Sequence, residues 1–597
     1  MKREELGDFT ATARVIPISI LAIGIGIIAS GVAWLLLKLI GLFTNLFYFH
    51  RVDTALSSPA NAHLGWMAVL VPIAGSLIVG VMARYGSERI RGHGIPEAIE
   101  AILMNGSRVH PRLAVLKPIS AAVSIGSGGP FGAEGPIIMT GGAFGSLIAQ
   151  FFHLTSAERK TLLVAGAAAG MSATFAAPLA AVLLAVELLL FEWKPRSAIP
   201  VALASATAGA ARRYILGVGP LFPVASHPVF IGPEGLLGCI LVGLAAGGLS
   251  ALLTAGVYAA EDAFQKLPIH WMWWPAIGGA CVGIGGLIFP PALGVGYDSI
   301  HLLLRGNVAL TFLLGVLLVK SSIWMISLGS GTSGGVLAPL LMMGAALGGI
   351  AEMFLPHFGA GFWPLVGMGA ILGGTMRSPF TGIVFALELT HDFNMMLPLL
   401  VANFLAHGFT VLVLKRSILT EKISRRGFHL TREYATDPLE ILFVREVMRT
   451  SVVALPAGET LEGTRELIRP RKAHGQQLFP VVTRDGKLVG VISRNHILRL
   501  HEEASGPERQ RTLGEIVPRD TTAAQSDESL RSVVYRMAET GFTRFPVIDE
   551  HQSLVGMVSL DDLLKARNRN LQEERARERV LRLRMPIGAR STSEPVS

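Results

Sequence analysis

The chain has 597 residues, of which 51% are hydrophobic and only 16% charged, with 67 glycines and a mean hydropathy of +0.51. That balance excludes an ordinary soluble domain and describes an integral membrane protein. The formal net charge of +9 does not mark a nucleic-acid binder, because basic residues collect at segment ends, at Arg84 to Arg91, Lys194 to Arg196 and Arg425-Arg426, as a positive-inside bias requires.

In chain order, Met1-Lys2-Arg3-Glu4-Glu5 leads into a long apolar run without a small-residue cleavage site, so the first segment is expected to stay in the membrane. Val15 to Leu37 and Gly235 to Ala260 carry no formal charge, and each is long enough for a bilayer core that needs roughly 20 apolar residues. Gly65 to Ala83 is shorter, and several runs between residues 113 and 391 are glycine-broken half-spans. Such pieces are stable at membrane depth only when buried in protein or lining a cavity, which favours a transporter or channel over an anchored enzyme. Cys239 and Cys281 fall inside apolar stretches and are expected to be inert packing residues. After about Phe428 the composition turns charged and mixed, like a soluble α/β unit. The expected division is a membrane domain over 1–428, a linker over 429–445, two similar soluble units over 446–502 and 512–568, and a charged, fraying tail over 569–597. The basic flanks put the N-terminus and the soluble part on the cytoplasmic side, so the crossings should be even in number.

Each part repeats internally. Ser124-Ile125-Gly126-Ser127-Gly128 aligns with Ser327-Leu328-Gly329-Ser330-Gly331 at an offset of 203 (327 − 124), which Pro136 and Pro339, Gly141 and Gly344, and Gly145 and Gly348 share. Pro178 and Glu187 pair with Pro379 and Glu388 at 201 (379 − 178). Two related halves with interrupted segments are the pattern of a transporter whose site lies between them near the midplane. In the soluble part, Phe479-Pro480-Val481-Val482 matches Phe545-Pro546-Val547-Ile548 at an offset of 66 (545 − 479). Each copy ends in a helix that Ser493 or Ser559 is placed to cap.

Between Lys117 and Glu158 the only formally charged residue is Glu134, set among Gly126, Gly128, Gly129, Gly132 and Gly135. A lone intramembrane carboxylate is costly and marks a pathway or a structural ion pair, of which the pathway is the favoured reading. Glycine lets successive backbone N–H groups approach a ligand, and helix N-termini opening from such loops bind anions without a lysine or arginine. Weak, multi-site binding of that kind suits permeation. The repeat partner of Glu134 is Leu337, so the second half supplies a similar cradle without the charge.

These residues resemble the CLC chloride channels and proton-coupled chloride transporters that carry paired cystathionine-β-synthase (CBS) domains. Gly92-His93-Gly94-Ile95-Pro96 is similar to the family's first anion-binding loop, Gly132-Ala133-Glu134-Gly135-Pro136 to the second, with its gating glutamate, and Gly335-Val336-Leu337-Ala338-Pro339 to the third. The resemblance implies an all-α polytopic fold of inverted repeats with about eighteen helices, a cytoplasmic α/β CBS pair, and a homodimer with one pathway per subunit. It also implies that Glu134 competes with chloride or another small anion for a site formed by His93, Gly94, Ala133, Gly135, Val336, Leu337 and Leu419. Two positions depart from the family: His93 stands where a serine is usual, and Leu419 where a tyrosine is usual. A neutral imidazole can donate one hydrogen bond, and a protonated one adds charge, so His93 is a candidate for anion binding and pH sensing; the alternative is a histidine satisfied by a neighbouring carbonyl.

The family's transporters often carry a second, inner glutamate just after the position of Glu187, and Leu188 stands there. An apolar side chain takes up no proton, and Glu192 lies on another helix face. The sequence therefore favours a voltage- or pH-gated anion channel, with a proton-coupled chloride antiporter as the alternative, and Glu187 and Glu388 as groups that hold helices together. The CBS pair is expected to offer one adenine-nucleotide site, through Ser559 and Asp562, or none if it only dimerises; the first copy has His496 in place of Asp562. No cofactor is needed for conduction itself. No phosphate-loop signature supports an ATP-driven pump, and no nucleophile and base stand out as an enzyme would need. A CBS-regulated cation transporter would need carboxylates along the pathway, whereas Ser321 to Ala351 is neutral. The expected location is a bacterial inner membrane.

Overall fold

The computed structural model describes residues 11–103, 106–427, 439, 442–468, 475–503, 506–518 and 521–575. The chain divides into two compact units, Met1–Arg432 and Glu433–Ser597. Residues 1–10, most of the expected linker and the tail beyond 575 lie outside the described residues.

The first unit is helical. Among the described residues, six stretches are long and apolar enough to cross a bilayer: Val15–Phe49, Gly65–Tyr85, Gly232–Gln265, Trp271–Ile288, Leu310–Gly329 and Phe393–Arg425. At 35 residues the first is about 52 Å long at ~1.5 Å per residue, so it must tilt in a ~30 Å core. Its outward positions Ile16, Ile20 and Ile27 are exposed while Ala22, Ile25, Ala29 and Ala33 are buried. Large apolar groups outside and small ones inside are what a lipid-facing helix needs to pack closely against its neighbours. Gly65 to Ala83, read from sequence as a short run, is continuous: a 3₁₀ turn over Gly65–Val69 feeds the helix Leu70–Tyr85.

Between these spans lie shorter apolar helices: Pro178–Leu190, Leu337–Ala351, Phe362–Met376 and Pro379–Thr390. The repeat glycines explain how the short helices pack. A Cβ on Gly141 would strike the carbonyl oxygen of Gly166, and one on its partner Gly344 would strike that of Gly367, so both halves pack backbone against backbone at equivalent crossings. Glu187 and Glu388 act as reciprocal ties. Glu388 accepts from the N–H groups of Leu179 (3.0 Å) and Ala180 (2.8 Å), and Glu187 from those of Phe380 (3.3 Å) and Thr381 (2.9 Å). Each carboxylate thus caps the helix N-terminus of the opposite half, where the partial positive charge lies. Glu192 is held on the surface side by Ser197 Oγ at 2.9 Å and by Lys194 and Arg196.

The second unit contains two three-stranded sheets of one design. Leu455–Pro456 runs parallel to Leu478–Val482, which pairs antiparallel with Leu488–Ser493; Ala524–Gln525, Arg544–Ile548 and Leu554–Ser559 repeat the arrangement. The register slips at Val481/Val482 in one copy and Val547/Ile548 in the other, the same position at the 66-residue offset. Phe479 and Phe545 anchor the two cores. The copies meet through Leu488 N–H to Gln552 O (3.1 Å) and Leu554 N–H to Gly486 O (3.0 Å).

Candidate functional site

Three glycine loops meet at the centre of the membrane unit. Gly132 and Gly335 exchange backbone hydrogen bonds of 3.1 and 2.8 Å, and Gly92 N–H donates to Thr332 O at 2.8 Å. Loops from both halves are therefore joined directly through the main chain. A Cβ on Gly135 would fall on the His93 carbonyl oxygen, and one on Gly94 would fall on the Gly135 carbonyl. Only glycine permits that approach.

Glu134 begins the helix Glu134–Gln150 and is fully buried. Its Oε1 accepts from Ala338 N–H at 2.9 Å, in the first turn of Leu337–Ala351. Val336, which precedes that helix, supplies no side-chain cap. The carboxylate of one half thus takes the place of a bound anion at the open N-terminus of the other. Its Oε2 has no hydrogen-bond partner among the described residues.

Behind each cradle stands a buried lysine. Lys117 Nζ donates to Ile90 O (2.7 Å) and Gly92 O (2.8 Å), and Lys320 Nζ to Ala292 O (2.9 Å) and Gly294 O (2.8 Å). Both side chains are wholly buried, and the two residues are 203 apart (320 − 117), in the repeat's own register. Each fastens carbonyls that would otherwise lie buried without a donor, at a cost of roughly 1–3 kcal/mol apiece. Lys117→Met and Lys320→Met should accordingly lower the unfolding temperature of the detergent-purified protein. Melting curves that overlay the parent would show that the ammonium groups fasten nothing.

Comparison with known proteins places this geometry. A family model described as "Voltage gated chloride channel" matches residues 74–410, more than half of the chain, and a CBS-domain model matches 444–503 and 513–569. The chain belongs to the voltage-gated chloride channel (CLC) family. Among curated relatives, the H(+)/Cl(-) exchange transporter ClcA of Salmonella arizonae and that of Salmonella newport are each 32% identical over 368 residues, covering 59% of this chain and 77% of the relative. Two solved structures show the same fold. A slow cyanobacterial Cl−/H+ antiporter aligns with TM-score 0.62 at 22% identity, covering 70% of this chain and 99% of that one. A CLC-type fluoride/proton antiporter aligns with TM-score 0.58 at 18% identity, covering 67% and 97%. The chain is thus a multi-pass membrane protein of an anion-transporting family, with a helical CLC fold and a CBS region of small sheets.

Within the CLC frame the structure sorts the residues singled out by sequence. His93 is buried, and its Nδ1 has no partner among the described residues, so no neighbouring carbonyl satisfies that nitrogen. Gly94 N–H donates to Glu97 Oε2 at 2.8 Å, and Gly94 is also a close-approach residue against Gly135. Ala133, Gly135, Val336 and Leu337 are all buried around Glu134. Leu419 is buried in the helix Ile418–Arg425, which Ser417 caps, and offers hydrocarbon where a hydroxyl is usual. A tyrosine hydroxyl does reach that helix start from elsewhere: Tyr258 donates to Ile418 O. Leu188 is buried within a π-helical turn over Ala185–Leu190.

In the CBS unit, Asp562 caps its own helix. Its Oδ2 accepts from Ser559 N–H (3.0 Å) and Oγ (2.5 Å), and its Oδ1 pairs with Arg449 Nε at 2.8 Å. The CBS resemblance puts this carboxylate at a position that meets ribose hydroxyls; in the structure it caps its helix and pairs with Arg449, as the S-x-x-D spacing also allows. A cavity of about 260 Å³ lies between the copies, lined by Thr450, Val452, Val482, Gly486, Leu554 and Gly556.

Proposed function

We propose that this CLC protein exchanges chloride or another small anion for protons across the bilayer, with Glu134 as the group that both blocks the anion site and carries the proton. The observation that carries the reading is the Glu134 carboxylate on Ala338 N–H: ionised, it competes with an anion for that helix end; protonated, it gives up its charge and the competition weakens. The relatives named as H(+)/Cl(-) exchange transporters support exchange over passive conduction. His93, Ala133, Gly135, Val336 and Leu337 line the anion's place, with Gly94 and Leu419 shaping it.

A passive, voltage- or pH-gated channel is the second reading, and one observation favours it: the inner position that the resemblance assigns to a proton relay is the buried, apolar Leu188. Reversal potential of the purified protein in planar bilayers separates the two. Under a pH gradient at symmetric chloride, an exchanger gives a shifted potential, and a potential fixed at zero would leave only the channel. His93→Ser should change the order of preference among chloride, fluoride, nitrate and bicarbonate; an unaltered series would return His93 to a packing role. We further read the protein as a homodimer in a bacterial inner membrane, with its N-terminus and CBS pair in the cytoplasm, as the resemblance and the basic flanks suggest. The inter-copy cavity of the CBS pair is large enough for much of an adenine nucleotide, and its use would require Asp562 to exchange Arg449 for a ribose hydroxyl.

A further inference from the structure

We infer that protons reach Glu134 from the cytoplasmic side through Glu97 and His93, a route that replaces the missing carboxylate at Leu188. The inference rests on the exchanger reading and asks which groups serve it. Glu97 is a buried carboxylate, 3% exposed in its side chain, held between two kinds of donor. Its Oε2 accepts from Gly94 N–H in the His93 loop, and its Oε1 meets Lys422 Nζ at 2.6 Å. Lys422 is 18% exposed, so the pair connects the cradle to the protein surface across 325 residues of sequence. Arg426 stands 3.9 Å from the same Oε1 and also pairs with Glu100.

A second observation points to water at this carboxylate. Glu97, Glu100, Arg89 and Arg108 line a cavity of about 10 Å³, which is room for a single water. The basic residues around it, with Arg425 and Arg426, mark the cytoplasmic face. Glu97 also holds the N–H of Gly94, next to His93, whose buried Nδ1 is unpartnered among the described residues and whose carbonyl oxygen packs on Gly135, the neighbour of Glu134. The charged groups about His93 are Glu97 from the helix Ile95–Leu103 that follows it, Lys117 from Pro111–Gly126 and Lys422 from Ile418–Arg425.

The proton balance is simple. Hydronium from the cytoplasmic solution passes its proton through the water in this cavity to the Glu97 carboxylate, leaving water behind. The resulting carboxyl gives it to one imidazole nitrogen of His93, directly or through one water, and Glu97 is again ionised. The opposite ring nitrogen releases its proton to Glu134, leaving a neutral imidazole in the other tautomer, which returns by the reverse transfer or a ring flip. The ring holds no lasting charge, which suits a site already flanked by two ammonium groups.

The test uses the full chain in proteoliposomes with a chloride gradient, reading chloride and proton flux separately. Glu97→Gln keeps an acceptor for Gly94 N–H, so chloride flux should stay within about threefold while proton flux falls at least tenfold. Lys422→Met should preserve both fluxes but move the pH dependence of proton flux upward by about one unit or more, because a carboxylate without its cationic partner holds its proton more tightly; this variant decides the matter if Glu97→Gln does not fold. Proton flux of parental size and pH dependence in both variants would overturn the route. If the parent protein moves no protons, the exchanger reading itself fails, a distinct result that needs no variant.

Discussion

Glu134→Gln is expected to give an anion flux that stays high at every pH, where the parent protein slows as pH rises, and to abolish proton transport altogether. The amide is nearly the shape of the carboxylate but lacks its charge. A hydrogen bond to an ionised acceptor contributes roughly 1.5–3 kcal/mol and a neutral one roughly 0.5–1.5, so the side chain's hold on Ala338 N–H should weaken by about 1.5 kcal/mol. That corresponds to a gain of about tenfold for a competing anion. Glu134→Ala should behave alike and leave more room. Flux assays in liposomes over a pH series would show it, and loss of flux, or a pH dependence like the parent's, would remove Glu134 from the role of gate.

The largest structural effect should come from a single methyl group at Gly135. Its Cβ would lie on the His93 carbonyl oxygen, and because the backbone fixes the position of a Cβ and its partner is a main-chain atom, no rotamer change relieves the contact. Overpacking of side chains typically costs 1–3 kcal/mol, occasionally more, and a main-chain collision between three knitted loops belongs at the upper end. Gly135→Ala is therefore expected to lose about 3 kcal/mol or more and to purify poorly, with no measurable flux. Gly24→Ala is the matched control: nothing lies within 4 Å of a Cβ there, and a helical alanine gains roughly 0.5–1 kcal/mol over glycine. Thermal unfolding in detergent should separate the two variants in opposite directions, and equal melting temperatures would mean that the loops yield.

Much of this architecture was legible from offsets alone. The 203-residue register located the two cradles, and the stranded charge of Glu134 located the site, because both signals are local in sequence. The lysines were legible in principle and easily missed. Lys117 and Lys320 sit at the edges of the two neutral runs, so the absence of charge inside the runs draws the eye past two charges that share the repeat's register. What could not be read was contact across long loops. Nothing in sequence brings Lys422 to Glu97, or His227 to Asp392, whose ring nitrogen and carboxylate meet at 2.5 Å while Nε2 faces Ala360 O at 3.1 Å. Gly94 and Asp562 show the complementary case: each matches a ligand position, and in the structure the Gly94 N–H also meets a carboxylate three residues on, while the Asp562 carboxylate meets the capping Ser559.

The paired lysines carry a last consequence. Two halves fastened in the same way, by the same kind of clamp, form a frame related to itself by a half-turn about an axis in the membrane plane. Such a frame looks alike from above and below, and left to itself it would treat the two sides of the membrane as interchangeable. Glu134 has no counterpart at Leu337, and His93, which follows the clamped Gly92, has none at Val295, which follows the clamped Gly294. Sidedness is thus conferred by a few side chains added to a scaffold that has none.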